Sequence, residues 1–127
     1  MPGGPGRGGG WGRGRRRRRR VMSFLQPCLL QILRQGEAHG YSLLGELEDF
    51  GFRSERLDPS LVYRALRDME DAGWVSSRLS DDSQGPQRRI YQLTEAGREH
   101  LEAWIEDLRR VKQEIDLLLS AYEKQRG

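Results

Sequence analysis

The chain has 127 residues, of which 35% are hydrophobic, and its 22 basic and 19 acidic side chains give a formal net charge of +3. This length allows one domain of ordinary size with a tail, and the single cysteine, Cys28, excludes an internal disulfide and a zinc site closed by cysteines. Cys28 stands in an apolar stretch and is predicted to be a small buried side chain, which suggests a reducing, cytoplasmic setting. No apolar run approaches the roughly 18 residues that a membrane span needs, so we expect no membrane partner.

The first 21 residues form a glycine- and arginine-rich tail. Residues 1–20 contain eight arginines and no acidic side chain, whereas the rest of the chain holds 14 basic and 19 acidic ones and is therefore acidic. The tail has almost nothing to bury, so we predict disorder over residues 1–21. Its arginines and Trp11 either contact nucleic acid without sequence preference or have little function. Alternatively, the tail results from a start codon assigned too far upstream, since Met22 begins the globular part of the chain.

Three short helices are predicted after the tail. The first spans residues 24–35, with Pro27 in its first turn, and the second spans residues 40–50. The third begins at the N-cap Asp58 and ends before Gly73. Its apolar residues recur at helical spacing and predict a buried stripe, namely Val62, Ala65, Leu66, Met69 and Ala72.

The hydrophobic period changes after the third helix. Residues 74–79 and 88–93 are short runs rich in β-branched and aromatic residues, and a cluster of turn formers separates them. This pattern predicts a β-hairpin with a polar tip. Thr94 then caps a final helix.

The final helix, over residues 95–127, has the most regular apolar pattern of the chain. Apolar residues recur every three or four positions, at Leu101, Trp104, Leu108, Val111, Ile115, Leu118 and Tyr122. Such a stripe favours pairing with a second long helix, and hence a homodimer. The alternative is that the helix folds back on its own domain.

This order of elements predicts a mainly α fold (α+β). It comprises a winged helix-turn-helix over residues 22–94 and a dimerisation helix over residues 95–127. In helix-turn-helix proteins a later helix enters the major groove of double-stranded DNA. The third helix turns five side chains away from its buried stripe, at Ser60, Leu61, Tyr63, Arg64 and Arg67. The hairpin carries three polar side chains just after its tip, at Gln87, Arg88 and Arg89. We therefore predict base and phosphate contacts from the helix and backbone contacts from the hairpin.

Two alternatives stay open at this point. An exposed helix face with two arginines is often only a solvated surface, and Asp68, Glu70 and Asp71 on the same helix reduce the local positive charge. The second class of function is a winged-helix interaction module that binds a protein and does not read DNA. No enzyme class competes, because His39 and His100 belong to no catalytic or metal-ligand spacing; we predict no catalytic residue, metal or cofactor.

Three segments read HGYSLLGEL (39–47), SLVYRALRDMEDAGWV (60–75) and GPQRRIYQLTEAG (85–97). Together they resemble the PadR family of bacterial transcriptional regulators, and the likeness covers about residues 24–125. The resemblance implies a ligand-responsive, homodimeric repressor that binds operator DNA and so associates with the nucleoid. The single C-terminal helix resembles the PadR subclass with a short C-terminal arm. The segments DPSLVYRALR (58–67) and GPQRRIYQLT (85–94) are similar to those of polyhydroxybutyrate-responsive repressors within the family.

The resemblance also implies roles for individual residues. Tyr63 matches the family tyrosine of the recognition helix, which typically contacts a DNA phosphate, and Arg88 and Arg89 match the basic end of the wing. Ser60-Leu61 stands where many members have Gly-Thr, so the base preference does not carry over. In members that bind planar drugs or flavins, aromatic side chains of the last helix line a cavity at the dimer centre. This implies a pocket for a small-molecule or polymer inducer at Trp104, Ile105 and Leu108.

Overall fold

The computed structural model describes residues 13–53, 55–80 and 88–126, with side chains from residue 24 onward. The elements in these ranges are α1 (Arg13–Arg34), β1 (Ala38–His39), α2 (Gly40–Glu46), a 3₁₀ turn (Leu47–Phe50), α3 (Pro59–Asp71), β2 (Val75–Leu79), β3 (Arg89–Leu93) and α4 (Glu95–Arg126). This order confirms the predicted mainly α, winged helix-turn-helix fold with a long C-terminal helix. None of the helices in the described ranges has the length and apolarity to span a membrane.

α1 begins earlier than predicted. Its backbone is helical from Arg13, whereas the sequence predicts disorder up to residue 21 and a helix from residue 24. Arginine is a good helix former, and extending an existing helix is easier than nucleating one. Pro27 consequently lies inside the helix instead of in its first turn, so its missing N–H removes one helical hydrogen bond. The remainder of the predicted tail, residues 1–12, lies outside the described residues.

The ends of α2 and α3 follow from local sequence. The predicted helix over residues 40–50 is α-helical only in its first part and finishes as the 3₁₀ turn, which Gly51 closes with a φ of 90°. At the start of α3 the Asp58 carboxylate accepts a hydrogen bond from the Ser60 N–H at 3.0 Å, and this bonding lowers the pKa of Asp58. α3 buries the predicted stripe except for Ala72, which is exposed because it is the C-cap.

The three strands form one antiparallel sheet in the order β1–β3–β2. β1 pairs with β3 through Ala38 opposite Tyr91; the sequence does not predict this strand, because two residues show no alternation. In the hairpin, Ser77 lies opposite Tyr91. Since alternate residues of a strand share a face, Ser77, Arg89 and Tyr91 lie on the same side of the sheet as the buried Val75.

The core lies between the helices and the inner face of the sheet. Its largest fully buried side chains are mostly leucines: Leu25, Leu29, Leu30, Leu43, Leu47, Leu66, Met69, Val62 and Val75. Cys28 is also buried there, and burial raises the pKa of its thiol to about 11. Such a thiol is protonated at neutral pH, so Cys28 packs as the small buried side chain that the sequence predicts.

Thr94 joins the base of α4 to the end of α3. Its hydroxyl donates a hydrogen bond to the Gly73 carbonyl oxygen at 2.6 Å and accepts one from the Gly97 N–H at 3.0 Å. Gly97 packs on the backbone of Trp74, since a Cβ at this position would overlap the Trp74 carbonyl oxygen. These contacts fix the point at which α4 leaves the domain.

The first turns of α4 pack against α1 and the core. Leu101, predicted as a dimerisation residue, is instead buried in the core of its own chain, with 3% of its surface exposed. Trp104, Ile105 and Leu108 are half-buried, and every residue over Arg109–Arg126 is exposed. The alternative in which α4 covers its own domain therefore holds for its first turns, and the rest of the apolar stripe stays exposed.

Candidate nucleic-acid interface

The outer face of α3 carries the predicted recognition side chains. Ser60, Tyr63, Arg64 and Arg67 are all exposed, outside the buried stripe of the helix. Leu61 differs from the prediction, because it is half-buried and packs against the core. It precedes the buried Ala65 by four residues and so shares a helix face with it. Leu61 is therefore less available for a base contact than the sequence predicts.

A cavity of about 300 Å³ joins α3 to α2 and to the end of the hairpin. Its lining residues come from all three elements: Gly40, Tyr41, Tyr63, Arg88, Arg89 and Tyr91. Gly40 permits their close approach, because a Cβ there would lie 2.9 Å from Tyr63 Cε1 and 3.2 Å from Tyr91 Cε2. The fold thus brings the predicted recognition tyrosine and both predicted wing arginines to one place.

The two wing arginines are held in different ways. Arg88 lies near the exposed ring of Tyr41, with its Cζ 5.6 Å from the ring centroid, as in a cation–π contact. Arg89 Nη1 donates a hydrogen bond to Ser77 Oγ at 2.9 Å. Gln87, the third predicted wing residue, lies outside the described residues. The sequence does not predict the partners Tyr41 and Ser77, since both contacts depend on tertiary packing.

Tyr91 contributes a buried aromatic side chain to the cavity lining. Burial raises its pKa; Glu70 acts in the same direction, whereas the positive charges of Arg89 and Arg67 lower it. The phenol is therefore protonated at neutral pH and can donate a hydrogen bond. Phenol and guanidinium donors around one cavity suit an anionic oxygen such as that of a phosphate. In the described ranges no three histidine, cysteine, aspartate or glutamate side chains form a metal-binding group.

The apolar stripe of α4 is exposed over the distal half of the helix. The predicted dimerisation residues Val111, Ile115, Leu118 and Tyr122 are each between 46% and 68% exposed. Leu117 and Leu119 add further exposed apolar surface beside them. Contiguous exposed apolar surface of this kind is typical of a protein–protein interface.

Trp104 belongs to a cluster of three rings that the sequence does not predict, in which His100 stacks on Trp74 and meets Trp104 edge-on. The His100 ring lies 3.6 Å from that of Trp74 and 5.2 Å from that of Trp104, measured between centroids. The spacing of His100 and Trp104, four residues apart on a helix, is a signal that could have found this pair. Ile105 lines a groove of about 610 Å³ beside α1, whereas Trp104 and Leu108 are not among the residues lining that groove.

Comparison with known proteins agrees with this geometry. Residues 29–103 match the family described as "Transcriptional regulator PadR-like family". The "Negative transcriptional regulator PadR" of Bacillus subtilis (strain 168) is 25% identical over 84 residues, which cover 66% of this chain and 46% of that protein. The chain thus spans about half the length of that regulator.

Solved structures show the same likeness. A PadR-like transcriptional regulator from Bacillus cereus strain ATCC 14579 is 29% identical with a TM-score of 0.67, over 78% of this chain and 94% of that one. Bacillus subtilis PadR in complex with operator DNA is 27% identical with a TM-score of 0.58, over 66% of this chain and 48% of that one. Since the family match covers more than half of the chain and the winged-helix elements are in place, the chain belongs to the PadR-like family of transcriptional regulators.

Proposed function

We propose that this regulator binds a specific sequence of double-stranded DNA as a homodimer and represses transcription there. The observation that carries the proposal is the cavity shared by α2, α3 and the hairpin. It gathers Tyr63, Arg88 and Arg89 beside the exposed face of α3. The Bacillus subtilis PadR structure, which contains operator DNA, supports the same use of this fold here.

On DNA, α3 lies in the major groove. Arg64 and Arg67 read base edges, where arginine makes bidentate bonds to guanine, and Ser60 contacts the start of the site. Tyr63, Arg88 and Arg89 hold a backbone phosphate at the cavity. Direct readout and anchoring are thereby assigned to different side chains.

The partner of α4 is a second copy of the chain. Supporting this assignment, the stripe over Val111–Tyr122 is exposed in a single chain and continues the apolar spacing of Leu108. Paired helices bury such surface and carry two recognition helices on one two-fold axis, about 34 Å apart along DNA. Sequence-specific binding therefore requires the dimer.

Repression is relieved by a small-molecule or polymer inducer that binds between the paired helices. Trp104, Ile105 and Leu108 suit this role because they are half-buried in one chain and lie just before the exposed stripe. A ligand there changes the angle between the two α4 helices and with it the spacing of the recognition helices. The likeness to polyhydroxybutyrate-responsive repressors makes an apolar polyester the first ligand to test.

The test begins with selection of DNA from a random pool by the full-length chain. The enriched sequence and a scrambled control are then compared by fluorescence anisotropy, with sedimentation velocity to count the chains bound. We expect a palindromic sequence, bound by two chains at least about 10³-fold more tightly than the control. A reporter promoter carrying the sequence should lose expression when the chain is present. Equal affinity for all DNA would instead favour a protein-interaction module.

A further inference from the structure

Three side chains connect the wing to the recognition helix. Arg89 Nη1 donates a hydrogen bond to Ser77 Oγ at 2.9 Å, and Ser77 Oγ donates one to Glu70 Oε2 at 2.8 Å. A serine hydroxyl has one hydrogen and two lone pairs, so Ser77 can make both bonds at once. Arg89 belongs to β3, Ser77 to β2 and Glu70 to α3.

Strand register makes the connection possible. Ser77 lies opposite Tyr91 in the hairpin, and Arg89 precedes Tyr91 by two residues on the same face of the sheet. Ser77 and Arg89 are therefore diagonal neighbours across the strand pair, within reach of a long side chain. Glu70 is half-buried on α3, and its carboxylate accepts the hydrogen bond from the Ser77 hydroxyl on the side of the sheet that faces the core.

We infer that Ser77 and Glu70 are positioning residues, which hold Arg89 in the orientation that the DNA backbone requires. The inference rests on the proposed DNA binding. An arginine free in solvent must be ordered when it meets a phosphate, whereas Arg89 is already restrained in the free chain. One Nη1 hydrogen bond to Ser77 leaves other guanidinium donors available, since arginine has five. Wing and recognition helix then meet DNA as one preformed surface.

The first experiment measures affinity for the enriched DNA sequence with full-length variants. Ser77→Ala should weaken binding about 3- to 10-fold, the effect expected for one lost positioning hydrogen bond. Ser77→Thr should bind as the parent does, because threonine retains the hydroxyl. Ser76→Ala is the matched control: it removes the same group from the neighbouring residue, on the other face of the strand, and should have no effect.

A mutant cycle separates positioning from a general structural role. In an Arg89→Ala background, Ser77→Ala should cause no further loss, whereas in an Arg88→Ala background its full effect should remain. Glu70→Ala should weaken binding to the selected and the scrambled DNA alike, and only while Arg89 is present. Independent losses from Ser77→Ala and Arg89→Ala would overturn the inference, and so would an effect that depends on Arg88 instead.

A measurement without DNA keeps this inference distinct from the proposed function. In ¹⁵N relaxation experiments on the free chain, the Arg89 Nε–Hε group should be more rigid than that of Arg64. Ser77→Ala and Glu70→Ala should both remove this difference. If the parent binds no DNA sequence, the proposed function fails, and an Arg89 as mobile as Arg64 overturns the positioning role by itself.

Discussion

Gly40 and Tyr63 are packed so closely that the first residue of α2 determines where the Tyr63 ring lies. A Cβ at Gly40 would stand 2.9 Å from Tyr63 Cε1, closer than side-chain carbons normally approach. The Tyr63 side chain lies on the exposed face of α3, so its ring has room to move aside. A methyl group at Gly40 would therefore displace the Tyr63 ring more than the buried Tyr91 ring, whose Cε2 it would meet at the longer distance of 3.2 Å.

Gly40→Ala should consequently impair DNA binding more than folding. We expect about 10-fold weaker binding, as for the loss of one phosphate contact, and a change of less than about 1 kcal/mol in the free energy of unfolding. Gly45→Ala, in the same helix but with open space around it, should stabilise the fold by about 0.5–1 kcal/mol and leave binding unchanged. Anisotropy and urea denaturation measure the two quantities. The Gly40→Ala loss should vanish in a Tyr63→Ala background.

Gly97→Ala should act in the opposite way, on folding first. The added Cβ meets the Trp74 backbone, which cannot rotate away as a side chain can. We expect a loss of about 3 kcal/mol in the free energy of unfolding. Ala96→Gly, at the exposed neighbouring position, should cost only about 1 kcal/mol through helix propensity. Urea denaturation compares them, and similar losses for both variants would contradict the packing argument.

The exposed side chains of α3 should divide between anchoring and reading. Tyr63→Phe should weaken binding to all DNA sequences alike, as expected for a phosphate contact. Arg64→Ala or Arg67→Ala should relax the preference at particular base pairs, each at a cost of about 1–3 kcal/mol where it reads a base. Anisotropy with single base-pair variants of the selected sequence measures this. Parent-like binding by all three variants would mean that α3 is not the reading helix.

The wing arginines should contribute mainly to salt-dependent affinity. Replacing Arg88 and Arg89 with alanine should flatten the slope of log affinity against log salt concentration by roughly 1–2 units per chain. The base preference should stay as in the parent, because these contacts go to the backbone. Salt titrations on the selected and scrambled sequences test both statements. An unchanged slope would place the wing away from DNA.

The distal stripe of α4 should control assembly independently of the domain. Ile115 and Leu118 are exposed in a single chain, so replacing both with aspartate should leave the monomer fold intact. In a paired helix the same changes bury charge at several kcal/mol each, and the dimer should dissociate. Sedimentation velocity should show a monomer, and specific DNA binding should fall far more than non-specific binding. A monomeric variant that still binds the palindrome tightly would contradict the dimer.

The sequence predicts those parts of the fold that local chemistry determines. The Asp58 cap, the α3 stripe and the change to a hairpin after Gly73 all depend on residues close together in the chain, and the structure has them. The helical start at Arg13 is missed because composition alone does not tell whether an arginine run extends a neighbouring helix.

The candidate site is only partly predictable, for a related reason. Tyr63, Arg88 and Arg89 can be selected as exposed residues of suitable chemistry, but their shared cavity depends on how the hairpin packs on α2 and α3. Ser77 and Tyr41 give no signal in the sequence, since their roles come from strand register and ring placement. Leu101 fits the heptad spacing as well as Ile115 does, and only the position of α1 decides that it is a core residue.

The Thr94 junction couples the tilt of the long helix α4 to the orientation of α3. The hydroxyl of Thr94 ties the carbonyl of Gly73, just past the end of α3, to the first turn of α4. α4 has 32 residues and is therefore about 48 Å long, so a tilt of roughly 5° at this junction moves its far end by about 4 Å. Conversely, a displacement of the C-terminal end of α4 rotates α3 by a small angle. A DNA helix with fixed groove spacing is sensitive to rotations of that kind, because both halves of a palindrome must be met at once.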